Sequence, residues 1–273
     1  MKNIYSPTLV KIISIQDLSH NVKLFRLKLQ QKFSDRGNGM GFMPGQFGLV
    51  GVWGYGEAPF GLASDPYQKD TVEIIVRRVG TVTEELHRLK IGDEVTFRGP
   101  IGNGFPLGFF EGKDVIMVTG GCGIPPIASL IEYIIRHRER FNKVYLLYGA
   151  ATPADVLLKK QIEFWKKHIE IFLTVDCGDS SWHDHVGLVS DLVVGLDINP
   201  QNVAVAMCGP GPMTKAIESI LKPLGVADRR IFVSEERRMQ CGIGKCQHCT
   251  CGEKYVCVDG PVFNFDEIDK NFD

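Results

Sequence analysis

Five of the eight cysteines in this 273-residue chain fall within seventeen residues: Cys241, Cys246, Cys249, Cys251 and Cys257. Four of them follow the spacing C-x4-C-x2-C-x7-C, and the first three repeat the C-x4-C-x2-C run whose thiolates hold [2Fe–2S] clusters. Two sulfurs two residues apart reach neighbouring positions on one small cluster, while a looping segment brings in the others. Gly242 and Gly244 suit such a loop, because glycine lets the backbone turn tightly past inorganic sulfides and aim N–H groups at them.

The same residue type builds structural zinc sites, and Cys246-x2-Cys249 is a permissible half of one. The C-x4-C spacing and the lack of a second C-x2-C pair weigh against zinc. A disulfide framework would suit a small secreted domain, whereas this chain starts Met-Lys-Asn-Ile-Tyr without an apolar signal segment. A net charge of −1 gives no reason to expect nucleic acid or an anionic membrane as partner. The most apolar stretch, 115–135, contains Gly120, Gly121, Gly123, Pro125-Pro126 and Glu132. It reads as strand, glycine loop and helix rather than a membrane span. These features point to a reduced, cytoplasmic protein with a cysteine-ligated cluster.

The elements upstream must position that centre. Near-alternation of apolar and polar residues predicts strands over 8–15 and 22–29, with further strands at Phe47–Trp53, Val72–Arg78 and Glu94–Arg98. Turn residues separate them, so a small antiparallel barrel is expected, with a short helix at Thr83–Leu89. Two stretches ask for more than a fold: Gly56–Ser64 and Val76–Thr83. The second places basic residues and Gly80 before a helix N-terminus, where free N–H groups attract phosphate, though a plain strand, turn and N-cap would read the same way.

Beyond residue 104 the pattern changes. Strands at Val115–Val118, Lys143–Tyr148, Ile169–Val175, Val203–Met207 and Arg230–Val233 alternate with helices at Pro126–Phe141, from Pro153 through Phe164, and at Pro212–Leu221. That alternation predicts a five-stranded parallel sheet covered on both faces. The first strand runs into Thr119-Gly-Gly-Cys-Gly-Ile-Pro-Pro126 and the fourth into Cys208-Gly-Pro-Gly-Pro-Met213. Two glycine turns at carboxyl ends of parallel strands predict one nucleotide-binding crevice. Cys122, Cys177 and Cys208 read equally well as small buried hydrophobes.

The barrel followed by a sheet with Gly-Gly-x-Gly-Ile-x-Pro and Cys-Gly-Pro-x-x-Met resembles the ferredoxin–NADP reductase superfamily. The tail from Glu236-Arg-Arg-Met-x-Cys241 to Tyr255-Val-Cys-Val-Asp-Gly-Pro-Val-Phe263 resembles, more narrowly, the gamma (diaphorase) subunits of cytosolic nickel–iron hydrogenases and sulfhydrogenases. The corresponding subunit of anaerobic sulfite reductase and the electron-transfer subunit of dihydroorotate dehydrogenase are close relatives of that group. The resemblance implies a β + α/β fold: an FAD-binding antiparallel barrel (1–104), an NAD(P)-binding α/β sheet (105–235) and a small [2Fe–2S] lobe (236–273).

It also implies site residues. The flavin segment becomes Ala58, Pro59, Phe60 and Gly61, and the flavin's phosphate side becomes Val76, Arg77, Arg78, Gly80, Val82 and Thr83. The nicotinamide nucleotide would use Gly120, Gly121, Gly123, Cys208, Gly209, Pro210 and Met213. The cluster ligands would be Cys241, Cys246, Cys249 and Cys257. Two departures stand out from the superfamily's Arg-x-(Tyr/Phe)-(Ser/Thr): Ala58 replaces the arginine and Gly61 replaces the hydroxyl residue. Cys251 is an extra thiol.

The expected activity is a relay in which NAD(P)H gives the flavin two electrons as hydride and the cluster takes them singly, to or from a partner oxidoreductase. No side chain need act as acid or base, so no catalytic residue is expected. A hydrogenase-like complex is the first expectation for the partner, with sulfite or sulfur reductase and dihydroorotate dehydrogenase as alternatives. The segment Gly149-Ala-Ala-Thr-Pro153 carries no basic residue for a ribose phosphate, which favours NAD over NADP. A redox sensor, or a zinc-stabilised binding module, is the reading from a different class.

Overall fold

The computed structural model describes residues 5–35 and 37–268; the ends of the expected first and third segments lie outside them. The first six strands are β1 (Thr8–Ser19), β2 (Val22–Leu29), β3 (Phe47–Val52), β4 (Gly56–Gly61), β5 (Thr71–Arg77) and β6 (Glu94–Ile101). They form one antiparallel sheet in the order β4-β3-β6-β1-β2-β5. A bridge between Leu62 and Ile74, with the Ala63 N–H donating to the Glu73 carbonyl (2.9 Å), brings the two edges together. Alternation along the strands fills the interior with Val10, Ile12, Phe25, Leu27, Val50, Ile74 and Phe97.

Helix α1 (Thr81–Arg88) follows β5 and starts two residues before the expected Thr83. Gly80 caps it. The Thr83 hydroxyl sits one turn inside, where it accepts the N–H groups of Gly80 and Val79, each at 2.9 Å.

The centre of the second sheet is the expected five parallel strands: β7 (Asp114–Gly120), β8 (Val144–Ala150), β9 (Glu170–Val175), β11 (Val203–Cys208) and β12 (Ile231–Ser234). Two edge strands extend it. β10 (His185–Val186) adds in parallel to β9, and β15 (Val262–Asn264), from the cysteine-rich tail, adds antiparallel to β12. The full order is β10-β9-β8-β7-β11-β12-β15. Both faces are covered at the centre of the sheet, so its inner strands are largely apolar: Val115 and Met117 pack to one side of β7, Ile116 and Val118 to the other.

Of the helices, α2 (Leu107–Phe110) and α5 (Asp191–Val194) are single turns, while α3 (Ile124–Arg136), α4 (Lys159–Trp165) and α6 (Gly211–Leu221) are longer. The helix expected from Pro153 through Phe164 is broken. A 3-10 turn at Pro153–Asp155 is separated from α4 by Leu158, whose φ is +54°. The buried Tyr148 hydroxyl explains the break: it accepts the Leu157 N–H (3.1 Å), which a continuous helix would have used, and donates to the Gly121 carbonyl (3.2 Å).

The tail folds back over the molecule. A two-residue ribbon, β13 (Thr250–Cys251) with β14 (Lys254–Tyr255), projects from it. Cys249, Cys251, Val256, Cys257, Phe263 and Phe265 share one core with Phe47 and Leu49 of the barrel and Ile116, Val118 and Met207 of the sheet. The tail therefore packs against both larger units at once.

Candidate functional site

The carboxyl ends of β7, β8, β9 and β11 open on a cleft of about 700 Å³. Gly120, Gly121 and Gly123 line it, with Gly209, Pro210 and Met213 opposite. Gly123 has to be glycine, since a Cβ there would lie 2.4 Å from the Cys208 carbonyl oxygen. The two glycine turns thus interlock, and α3 and α6 both start at this cleft, each with proline in its first turn. Cys208 is fully buried and packs beneath the loop rather than lining the cleft, so of the expected nucleotide residues it alone is set back. Cys122 does line the cleft, and burial pushes its thiol up. Asp176, just after β9, donates its N–H to the Ala150 carbonyl (3.0 Å) and lines the same cleft beside Gly149, Ala150 and Ala151.

A second cleft, of about 370 Å³, lies between β4, α3 and the tail. Pro59, Phe60 and Gly61 form one wall, Pro126 another, and Ser234–Met239 with Val256 and Pro261 the rest. Ala58 pairs with Val50 and does not reach the cavity. The missing hydroxyl at position 61 has a packing reason. A Cβ on Gly61 would lie 3.3 Å from Pro125 Cβ and 3.2 Å from Pro126 Cδ, so the proline pair of α3 occupies the space of a side chain.

Among the phosphate-side residues, Arg77 reaches the nucleotide cleft, while Val76 is buried and Val82 packs on the barrel core. Thr83 spends its hydroxyl on the helix cap, accepting the Val79 and Gly80 N–H groups and donating to the Gly80 carbonyl.

The two clefts share a wall. Ser234, Glu235, Glu236 and Arg237 line both. Glu235 is buried and paired with Arg237 Nη1 at 3.3 Å. Desolvation holds its carboxyl above the ordinary range, against the pull of the guanidinium. Neither glutamate was expected as a site residue. The adjacency of Glu235-Glu236 to the cysteine run was their one sequence signal.

The cysteine side chains of the tail lie close to one another. Thiol–thiol contacts join Cys241 to Cys246 and Cys249 to Cys257, which makes two pairs. Backbone N–H groups surround the sulfurs. Ile243 (3.5 Å), Lys245 (3.3 Å) and Cys246 (3.3 Å) donate to Cys241 Sγ, Gly244 to Cys257 Sγ (3.1 Å) and Cys241 to Cys246 Sγ (3.5 Å).

Burial opposes ionisation of Cys241, but those donors outweigh it and bring the thiol down to about 6. Burial and the neighbouring Cys249 push Cys257 up to about 12. Gly242 and Gly244 hold φ of +70° and +76°, which aims the N–H groups inward. Among the described residues no three His, Cys, Asp or Glu side chains are arranged around a single metal ion. Two thiol pairs with N–H donors fit a [2Fe–2S] cluster, in which each iron takes two thiolates. Cys251, on β13, is buried in the shared core and reads as packing.

One side chain ties this loop to the barrel. Arg98 on β6, 8% exposed, donates through Nη1 to the Cys241 carbonyl (2.9 Å) and through Nη2 to the Gln240 carbonyl (3.4 Å). Its Nε (3.1 Å) and Nη2 grip the Glu57 carboxylate, next to Ala58 on β4.

Three family models match in succession: an oxidoreductase FAD-binding domain over residues 9–105, an oxidoreductase NAD-binding domain over 117–219, and the iron–sulfur cluster binding domain of dihydroorotate dehydrogenase B over 236–269. The sulfhydrogenase 1 subunit gamma of Pyrococcus furiosus is 36% identical over 97% of this chain and 93% of its own length. The probable dihydroorotate dehydrogenase B electron-transfer subunit of the same organism is 35% identical over 93% and 89%. A solved NADH-dependent reduced ferredoxin–NADP oxidoreductase superposes with a TM-score of 0.76 at 25% identity, over 97% of this chain and 91% of that one. The chain therefore belongs to the family of the sulfhydrogenase gamma subunits and the dihydroorotate dehydrogenase B electron-transfer subunits, flavin- and NAD-binding oxidoreductases with an iron–sulfur domain.

Proposed function

We propose that this chain is the electron-transfer subunit of a larger complex, passing electrons between a nicotinamide nucleotide and a partner oxidoreductase of the hydrogenase type. One observation carries the reading: the flavin-side and nucleotide clefts share the wall Ser234–Arg237, and the cysteine loop hangs from the flavin strand through Arg98. Three redox groups held this way exchange electrons within one compact body.

The residues divide the work. Pro59, Phe60 and Gly61 hold the flavin ring, with Arg77 towards its phosphates. Gly120, Gly121, Gly123, Gly209, Pro210 and Met213 hold the nucleotide. Cys241, Cys246, Cys249 and Cys257 would hold the cluster as thiolates, the first two forming one pair and the last two the other. When bound, the flavin accepts a hydride from the nicotinamide and yields electrons one at a time, which the cluster handles singly. Pro126 and the tail segment Ser234–Met239 would form the opposite wall of the flavin-side cleft.

NAD is favoured over NADP. The cleft near Ala150 and Ala151 carries the Asp176 carboxylate, which suits ribose hydroxyls and repels a ribose phosphate.

The hydrogenase-type partner rests on likeness along the whole chain to a sulfhydrogenase gamma subunit. The cysteine-tail match to the dihydroorotate dehydrogenase B domain supports the second reading, a dihydroorotate-oxidising complex. Among the described residues no helix is long and apolar enough to cross a membrane, in keeping with a cytoplasmic complex. The division at 1–104, 105–235 and 236–273 is our assignment, the third segment being docked through β15 rather than free-standing.

The test is anaerobic purification followed by NADH titration. Flavin bleaching with a reduced-cluster signal in electron paramagnetic resonance is expected, and bleaching without that signal refutes the relay. Co-purification of a nickel–iron subunit, rather than a dihydroorotate-oxidising one, decides the partner.

A further inference from the structure

Glu236 stands where the two clefts meet. It follows β12 and lines both cavities. Its neighbour Glu235 is engaged by Arg237, whereas among the described residues the Glu236 carboxylate has neither an ion pair nor a hydrogen-bond donor. Of the side chains lining the flavin-side cleft, Arg237 and Arg238 are permanently charged, and the others, apart from Ser234 and the two glutamates, are apolar. Glu236 is thus the one unengaged carboxyl there.

On the nucleotide side Cys122 from the glycine loop and Arg77 from β5 share its cleft, while Asp176, after β9, lines the far end of that cleft. Although open to the cleft, Glu236 is closely surrounded by protein, and this desolvation holds its carboxyl above the ordinary range. Across the same cleft, Gly61 offers no side-chain oxygen, and Pro125 and Pro126 crowd the place one would take.

The chemistry of the relay, on which this inference rests, requires proton exchange. Hydride from a dihydronicotinamide delivers two electrons and one hydrogen nucleus together. The cluster accepts electrons alone, one at a time. For each pair of electrons that leaves for the cluster, one proton must therefore leave the flavin N5 position, and in the reverse direction one must return. We propose that Glu236 is the proton-exchanging residue of the flavin-side cleft: its carboxylate takes the proton released as two electrons pass to the cluster, and returns it when they come back.

Redox-induced infrared difference spectroscopy tests this, with dithionite as reductant so that the readout does not depend on NADH or on the cluster. The wild-type protein should show a carboxyl C=O band that appears on flavin redox change and shifts in D2O. The band should vanish in Glu236→Gln, persist in Glu235→Gln, and return displaced in Glu236→Asp. In stopped-flow measurements Glu236→Gln should slow reoxidation of the dithionite-reduced flavin through the cluster by about a hundredfold, the size general acid–base residues contribute.

A wild-type spectrum without the band, a band that survives in Glu236→Gln, or unchanged reoxidation in that variant overturns the proposal. If Glu236→Gln does not retain FAD, Glu236→Asp decides: an undisplaced band refutes the assignment. Failure of the relay itself reads differently, as a wild-type cluster that NADH never reduces.

Discussion

Replacing Arg98 tests whether the cluster loop is held by the barrel. In the native chain its guanidinium makes four hydrogen bonds, two to the Glu57 carboxylate and two to the carbonyls of Gln240 and Cys241. Arg98→Ala removes all four. It strands Glu57 and frees the backbone of a proposed cluster ligand. Breaking a buried ion pair by removing one partner costs about 3–5 kcal/mol. Glu57 keeps 27% of its side chain in solvent and recovers hydration there, so the low end, about 3 kcal/mol, is expected.

The loss should concentrate on the tail. Anaerobic urea unfolding of the holoprotein should show an early phase that releases iron and sulfide before the flavin. Visible circular dichroism of the cluster should change even in native buffer. Loss of a positive charge near the cluster should also lower its reduction potential, because the reduced cluster is the more negative state. Arg98→Lys keeps the charge but not the planar fork, so the potential should recover more than the stability. Stability within about 0.5 kcal/mol of wild type, the range of an ordinary surface substitution, together with unchanged circular dichroism would refute the strut.

Three other predictions concern separate places. Gly61→Ser restores a hydroxyl but crowds Pro125 and Pro126, so it should lower stability by about 1 kcal/mol. Adding Pro125→Ala should recover most of that in a double-mutant cycle, and purely additive losses would exclude the contact. Burial raises the Glu132 carboxyl above the ordinary range, although Trp165 Nε1 donates to it at 2.8 Å. At low pH both folded and unfolded chains carry that proton. As pH rises past the unfolded value the unfolded chain ionises first, so native stability falls until the folded carboxyl also ionises. Glu132→Gln should therefore raise the melting temperature at about pH 8 and leave it unchanged at about pH 3, below the unfolded pKa. Cys251→Ala should retain full iron and sulfide, whereas Cys249→Ser should lose the cluster; equal losses would make Cys251 a ligand.

Much of this architecture was legible because it is local. β2 was expected at the bounds it adopts, since its apolar residues alternate and turn residues end it. The five parallel strands were legible because burial on both faces leaves continuous apolar runs. β4 was not expected as a strand. Its sequence, Gly-Glu-Ala-Pro-Phe-Gly, has poor strand propensity, and pairing with β3 along its whole length sets its conformation.

The thiol spacing announced the cluster loop, but nothing local announced its anchor: Arg98 and Cys241 are 143 residues apart. The same holds for Gly61. Its departure from the superfamily motif was visible in the chain, but its cause, the proline pair on α3, became visible only when the barrel met the sheet. Glu236 looked like part of a family motif, and only the cavity walls set it apart from Glu235.

The tail's attachment explains how three groups can keep fixed spacing without a large lobe of their own. Asn103, just past β6, donates through Nδ2 to the carbonyls of Asp259 (2.8 Å) and Val262 (2.7 Å), and its Oδ1 accepts the Val262 N–H (3.0 Å). Its own N–H donates to the Gly260 carbonyl (2.6 Å). Those bonds seat β15 beside β12, and the Glu235 N–H then donates to the Pro261 carbonyl (2.8 Å). One asparagine at the barrel's exit thus fixes β15, the strand that pairs with β12 and so braces the shared cleft wall, while Arg98 fixes the loop that carries the first thiol. A shift of the tail would disturb the wall and the thiols together, so the spacing between nucleotide, flavin and cluster is set by backbone pairing and two polar anchors.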